Sequence, residues 1–142
     1  GRGLVDEAKK AGKIAAGGQV SDGGGYFIRP TIVRDVAEGN RLVDEEQFGP
    51  ILPVIKYSDP EDALKRANAS PYGLGGSVWG EDIARASALA ARIDSGTVWV
   101  NKHLDITPNI PFGGAKQSGM GVEFSEEGVA EFTQSQVVNI AK

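Results

Sequence analysis

The chain has 142 residues, 40% of them hydrophobic and 24% charged, with a net charge of −4 and a pI near 5.0. That is long enough for a sizeable core and has the balance of a globular protein, while the acidity and the scattered Lys and Arg argue against a nucleic-acid or anionic-membrane surface. There is no cysteine and one histidine, His103, which excludes disulfides, a cysteine nucleophile within these residues and a metal site of the usual kind.

Leu4 to Ala15 has apolar residues at helical spacing and predicts a helix that Gly17-Gly18 ends. Val20 to Gly25 is polar and Gly-rich, a loop. Tyr26 to Val33 is extended, with Arg29 biased towards β by Pro30. Arg41 to Glu46 predicts a short helix with Leu42 and Val43 inward. Ile51 to Tyr57 is a strand, and Pro53 places it at an edge or a bulge. Asp59 caps a helix with Pro60 at its first position, and Ser70-Pro71-Tyr72-Gly73 breaks it. Gly75 to Trp79 is a strand. Glu81 to Ile93 is a helix with Ile83, Ala86, Leu89, Ala90 and Ile93 on one stripe. Thr97 to Val100 is an apolar strand buried on both faces. Asn101 to Glu123 is long and irregular, a length that usually means function or disorder; Ile106, Ile110 and Phe112 argue against disorder. Ser125 caps a short helix through Phe132, and Gln136 to Ile140 closes as a strand. Strands alternating with helices in this way predict an α/β fold with a parallel sheet. No span-length apolar run occurs. The twenty glycines, roughly twice the average usage of about 7%, sit at element ends and mark turns. Neither a Gly-x-Gly-x-x-Gly nor a Walker-type motif is present.

Glu45-Glu46-Gln47-Phe48-Gly49-Pro50 is denser in chemistry than an ordinary turn. An ionised carboxylate accepts with two oxygens and can take both hydroxyls of a ribose diol. A flat ring two residues on can lie against a flat heterocycle. The plain alternative is a solvated acidic helix end with Phe48 in the core.

Taken with Gly96-Thr97-Val98-Trp99-Val100-Asn101 and Pro111-Phe112-Gly113-Gly114-Ala115-Lys116-Gln117-Ser118-Gly119, this stretch makes the chain resemble the C-terminal part of aldehyde dehydrogenases, from about Leu4 to Ile140. The resemblance implies a parallel-sheet catalytic domain of that type, present as a fragment, over residues 1–124. It implies a helix and an oligomerisation strand over residues 125–142. Glu46 is then expected to bind the nicotinamide ribose of NAD or NADP, and Phe48 to pack near the nicotinamide. Glu45 is expected to be structural, paired with a nearby cation. Ile106 and Phe112 are expected to line the aldehyde tunnel, and Glu123 to support a proton relay. His103 is either a tunnel residue or an ordinary loop histidine. Lys116 is expected to serve backbone geometry and not catalysis. Val122 stands where many members have an arginine, which removes any salt link from that position. Val137-Val138-Asn139-Ile140 is expected to join a partner subunit's sheet in a homo-oligomer.

The resemblance also implies a cytoplasmic enzyme oxidising an aldehyde to a carboxylic acid. Its cysteine would form a thiohemiacetal, and a glutamate base would serve hydrolysis. Neither group falls in the matched region, so the chain is expected to be part of a longer protein and inactive alone. A non-catalytic interaction module descended from the same fold is the alternative, as is, more remotely, a dinucleotide-binding regulatory domain.

Overall fold

The computed structural model describes residues 2–19 and 23–141. Within the predicted loop 20–25, Val20 to Asp22 lie outside the described residues. The chain is α/β and divides into two compact units, Gly1–Ser58 and Asp59–Lys142. Among the described residues no helix is long and apolar enough to cross a membrane.

The first unit is a three-stranded sheet with two helices. The predicted long first helix is in fact a helix and a strand: α1 spans Arg2–Ala11 and β1 spans Lys13–Ala16. The break falls at Gly12, where a Cβ would lie 2.5 Å from Val36 and 2.6 Å from the Arg34 carbonyl. Only a glycine lets the helix end press that closely on the backbone. β1 then runs antiparallel to β2, Thr31–Arg34, and β2 runs parallel to β3, Ile51–Val54. The strand order is β1-β2-β3, so β3, with Pro53 in it, is an edge as expected.

Side chains alternate along β2. Thr31 and Val33 point into the core, while Ile32 and Arg34 point out. Val33 joins Val5 and Ala8 of α1, Val36, Leu42 and Ile51 in one buried cluster. Thr31 is the polar member of that interior. Its hydroxyl donates to the Arg29 carbonyl at 2.8 Å and accepts from the Gly18 amide at 2.9 Å, so burial leaves it satisfied. The short helix α2, Arg41–Asp44, is capped by Asn40, whose Oδ1 accepts from Leu42 N at 2.9 Å. Leu42 goes inward as predicted.

In the second unit, α3 spans Pro60–Asn68 and starts as predicted. Asp59 Oδ1 accepts from Glu61 N at 3.0 Å, and Pro60 is in the first turn. Glu61 and Asp62 near its start and Lys65 and Arg66 near its end all suit the helix dipole. β5, Gly75–Val78, pairs in parallel with β6, Thr97–Val100, and α4, Ile83–Ala90, packs on both. Asp82 caps α4 through Arg85 N at 3.0 Å. The buried face of α4 is Ala86 and Ala90; Ile83, expected on that stripe, is 56% exposed. β6 is not buried on both faces either, since only Trp99 in it is fully buried.

The segment 101–123 is less irregular than its sequence predicts. It carries β7, Phe112–Gly113, and β9, Val122–Glu123, paired antiparallel. It also carries β8, Ala115–Lys116, which pairs antiparallel with β4, Tyr72–Gly73. The last helix, α5, spans Ser125–Ala130 and follows Phe124; Phe124 makes no side-chain cap bond, and the capping bond comes from Ser125, whose Oγ accepts from Glu127 N at 3.2 Å. Residues 136–140 form no strand, because a strand is completed by a neighbour's N–H and C=O groups and the described residues offer none there.

Candidate functional site

Turn 45–50 follows α2 directly. Arg41 reaches Glu45 with two bonds, Nε to Oε1 at 2.8 Å and Nη2 to Oε2 at 2.9 Å, and reaches Glu7 with a third at 2.8 Å. These hydrogen bonds hold the Glu45 carboxyl below the usual carboxylate range. Glu45 is thus paired with a cation, as expected. The sign follows: the link is intact above the ordinary carboxylate range and is lost as pH falls through Glu45's lowered value. Both partners are exposed, so solvent screens the contribution.

The next residue is different. Glu46 is exposed and has no hydrogen bond or ion pair with any described residue. Between the two site candidates, Gln47 Nε2 donates to the Leu42 carbonyl at 2.9 Å and fixes the turn to the end of α2. Phe48 is 99% exposed and so is not the core residue that the plain alternative requires. A bare carboxylate and a bare ring, two residues apart on an anchored turn, are both available to a ligand. A ribose diol, whose hydroxyls donate to a carboxylate, and a flat heterocycle suit that pair.

The other candidates lie in the second unit, on and around β6 and β7. Phe112 is half-buried, with its ring 6.5 Å from that of Trp99 at 33°. In the β7–β9 ribbon Phe112 faces Glu123 across the strands, so an apolar ring and an exposed carboxylate share one face. Ile106 is 38% exposed. His103 is exposed and stands edge-on to Trp99, ring centres 5.4 Å apart at 73°. Phe112 and Glu123 are therefore brought together; Glu46 and Phe48 belong to the first unit.

Lys116 and Ser118 act as joints, consistent with a backbone role. Lys116 Nζ donates to the carbonyls of Asn68 at 2.8 Å and Ser70 at 3.1 Å, capping the end of α3 with a cation. Ser118 Oγ accepts from Gly73 N at 2.9 Å. The Val122 amide donates to Glu131 Oε1 at 3.0 Å.

Two residues that sequence reasoning passed over shape this region. Asn101 sits at φ +53°, where an L-residue costs about 1–2 kcal/mol. Its carboxamide holds Gly80 from both sides, accepting from Gly80 N and donating to Gly80 O, each at 2.8 Å. It extends the β5–β6 pairing by one side-chain bridge and turns the chain into the loop. A polar amide directly after an apolar strand was the available signal. Asn101→Ala is expected to lose about 1–2 kcal/mol of stability in urea denaturation. The second residue is Trp99, whose indole N–H donates to the Asp105 carbonyl at 3.0 Å.

The sequence matches known proteins over almost its whole length. A sequence model described as the aldehyde dehydrogenase family covers residues 2–138. The chain is 42% identical over 141 residues to Aldehyde dehydrogenase LUC3 of a Fusarium species, covering 97% of this chain and 31% of that protein. It is 42% identical over 135 residues to the NADP(+)-dependent succinate-semialdehyde dehydrogenase of Deinococcus radiodurans, covering 95% and 28%. Among solved structures, the Mycobacterium tuberculosis aldehyde dehydrogenase complexed with NAD+ superposes with a TM-score of 0.87 at 39% identity, covering 94% of this chain and 28% of that one. The chain thus spans less than a third of the length of these relatives. With the three sequence motifs, the α/β fold and a family match over residues 2–138 in agreement, the chain belongs to the aldehyde dehydrogenase family.

Proposed function

We propose that the chain is the C-terminal part of the catalytic domain of an NAD(P)-dependent aldehyde dehydrogenase that oxidises an aldehyde to a carboxylic acid. The observation that carries this reading is the pairing of a family match over residues 2–138 with a free Glu46 beside a bare Phe48. Glu46 would accept hydrogen bonds from the nicotinamide ribose hydroxyls, and Phe48 would lie against the nicotinamide. When bound, the dinucleotide supplies a hydride acceptor. Fixing the ribose fixes the ring face, which is the positional requirement of hydride transfer. Ile106 and Phe112 would form the apolar wall of the aldehyde site and keep water from the reacting carbon. Glu123, facing Phe112 across the ribbon, would hold a proton in support of a relay.

The nucleophilic thiol that this chemistry needs is not among the 142 residues. The 142-residue chain alone is therefore expected to form no NAD(P)H from any aldehyde, while the full-length polypeptide does so. Assaying both at 340 nm, a wavelength at which the reduced dinucleotide absorbs, tests the reading. Cysteine-independent turnover by the short chain, or an inactive full-length protein, would count against it; the second result favours a non-catalytic module.

The exposed Val137, Val138 and Ile140 support a further part of the proposal, that residues 136–140 add to a sheet of a second copy.

A further inference from the structure

The side chain most tied to the loop 101–111 does not belong to the loop. Trp99, in β6, is 5% exposed. Its ring has room because Gly75 on the neighbouring strand lacks a side chain: a Cβ there would lie 2.9 Å from Cζ3 of the indole. From this seat Trp99 meets the loop at three places. His103 stands edge-on to it near the start, the Asp105 carbonyl accepts its N–H in the middle, and the Phe112 ring lies against it just past the end.

The middle contact matters most. The carbonyl of Asp105 and the amide of Ile106 are one planar peptide group. An indole N–H is donor only, and leaving it unpaired in the interior is costly. A single enforced bond therefore sets the peptide that aims Ile106, while ring contact at 6.5 Å steadies Phe112. Leu104, between His103 and Asp105, is held at φ +56°, so the loop does not reach this shape by local preference.

We propose that Trp99 is a positioning residue for aldehyde selection, fixing residues 103–112 in one shape and hence the wall formed by Ile106 and Phe112, without touching substrate itself. The inference rests on the proposed function in giving Ile106 and Phe112 an aldehyde-facing role; the tie between Trp99 and the loop stands on geometry.

The test uses the full-length protein with Trp99→Phe, which keeps an aromatic ring and removes the donor. Amide hydrogen exchange at residues 103–106 is expected to speed up by roughly fivefold or more. The ratio of kcat/KM for hexanal over acetaldehyde is expected to change by at least about fivefold, with KM for the dinucleotide moving less than about twofold. Ala86→Gly, buried on α4, shows what general loss of stability does. His103→Ala, at an exposed position that does not risk folding, removes one of the three contacts and should move the ratio the same way by a smaller factor. An unchanged ratio in both variants of an active enzyme, or a uniform loss on both aldehydes that matches Ala86→Gly, overturns the inference alone. A wild-type full-length protein that oxidises neither aldehyde overturns the proposed function and the selectivity claim with it. Faster exchange with a shifted ratio supports both.

Discussion

Gly96→Ala is expected to cost the chain at least about 3 kcal/mol, the upper end of ordinary overpacking. A Cβ at position 96 would fall inside the carbonyl oxygen of Gly113 and within 2.7 Å of that residue's carbonyl carbon. Neither obstacle is a side chain that can rotate away. Gly96 N also donates to the Gly73 carbonyl at 3.0 Å, so the strand cannot drift outward without losing that bond. The same crowding recurs around it. A Cβ on Gly73 would meet the Asp94 carbonyl at 2.6 Å, and one on Gly113 would meet the Gly121 carbonyl at 2.9 Å. Backbone lies directly on backbone here, which is the physical reason that Gly96 opens one motif and Gly113 sits inside another. Urea denaturation of the 142-residue chain measures the effect, with Gly3→Ala as the contrast. Gly3 sits in α1 with nothing within 4 Å of its missing Cβ, so that change should be neutral or stabilising by about 0.5–1 kcal/mol. Equal stability of the two variants would show that the second unit is not packed through its glycines.

What could be read in advance was what local chemistry decides. Asp59-Pro60 starts a helix because a short acceptor beside free N–H groups acts within a few residues. Leu42 was legible as core because it and Val43 are the apolar residues of a short, otherwise charged segment. The failures were settled by distant partners. Lys13–Ala16 has the composition of a helix and becomes a strand by pairing with β2. Tyr72 and Lys116 pair across 44 residues of sequence, in a ribbon of two residues a side that no periodicity announces. Ser125 was half legible: it lies one residue inside α5 at φ +57°, yet its Oγ accepts from Glu127 N at 3.2 Å as a cap does, and its hydroxyl donates to the Glu127 carboxylate. At the site, adjacent acids with opposite circumstances were half legible. That Glu45 wants a cation follows from its charge; that Arg41 is that cation and leaves Glu46 free follows from four residues of helical spacing read with the structure.

That asymmetry leads to the second large effect. In the full-length protein Glu46→Gln is expected to lower kcat for aldehyde oxidation by roughly 100-fold, the scale set by small misplacements of a reacting group. The amide keeps one acceptor oxygen where the carboxylate has two, and loses the charge that roughly doubles the strength of each bond. A ribose held by one hydroxyl in place of two leaves its ring free to swing, so the loss falls mainly on kcat and less on the dinucleotide's KM. Stability should not change, because Glu46 is exposed and bonds to no described residue. The rate effect can therefore be read without a folding correction. Glu45→Gln is the matched neighbour: its carboxylate is already taken by Arg41, so kcat should stay within about threefold of wild type while the pH dependence assigned to the Arg41 link disappears. Should the two variants lose activity to the same degree, the free acid would have no role distinct from the paired one, and the ribose assignment would fail. Phe48→Ala extends the comparison two residues along the same anchored turn, and a loss in the double variant with Glu46→Gln that departs from the sum of the two single losses would place both groups on one ligand.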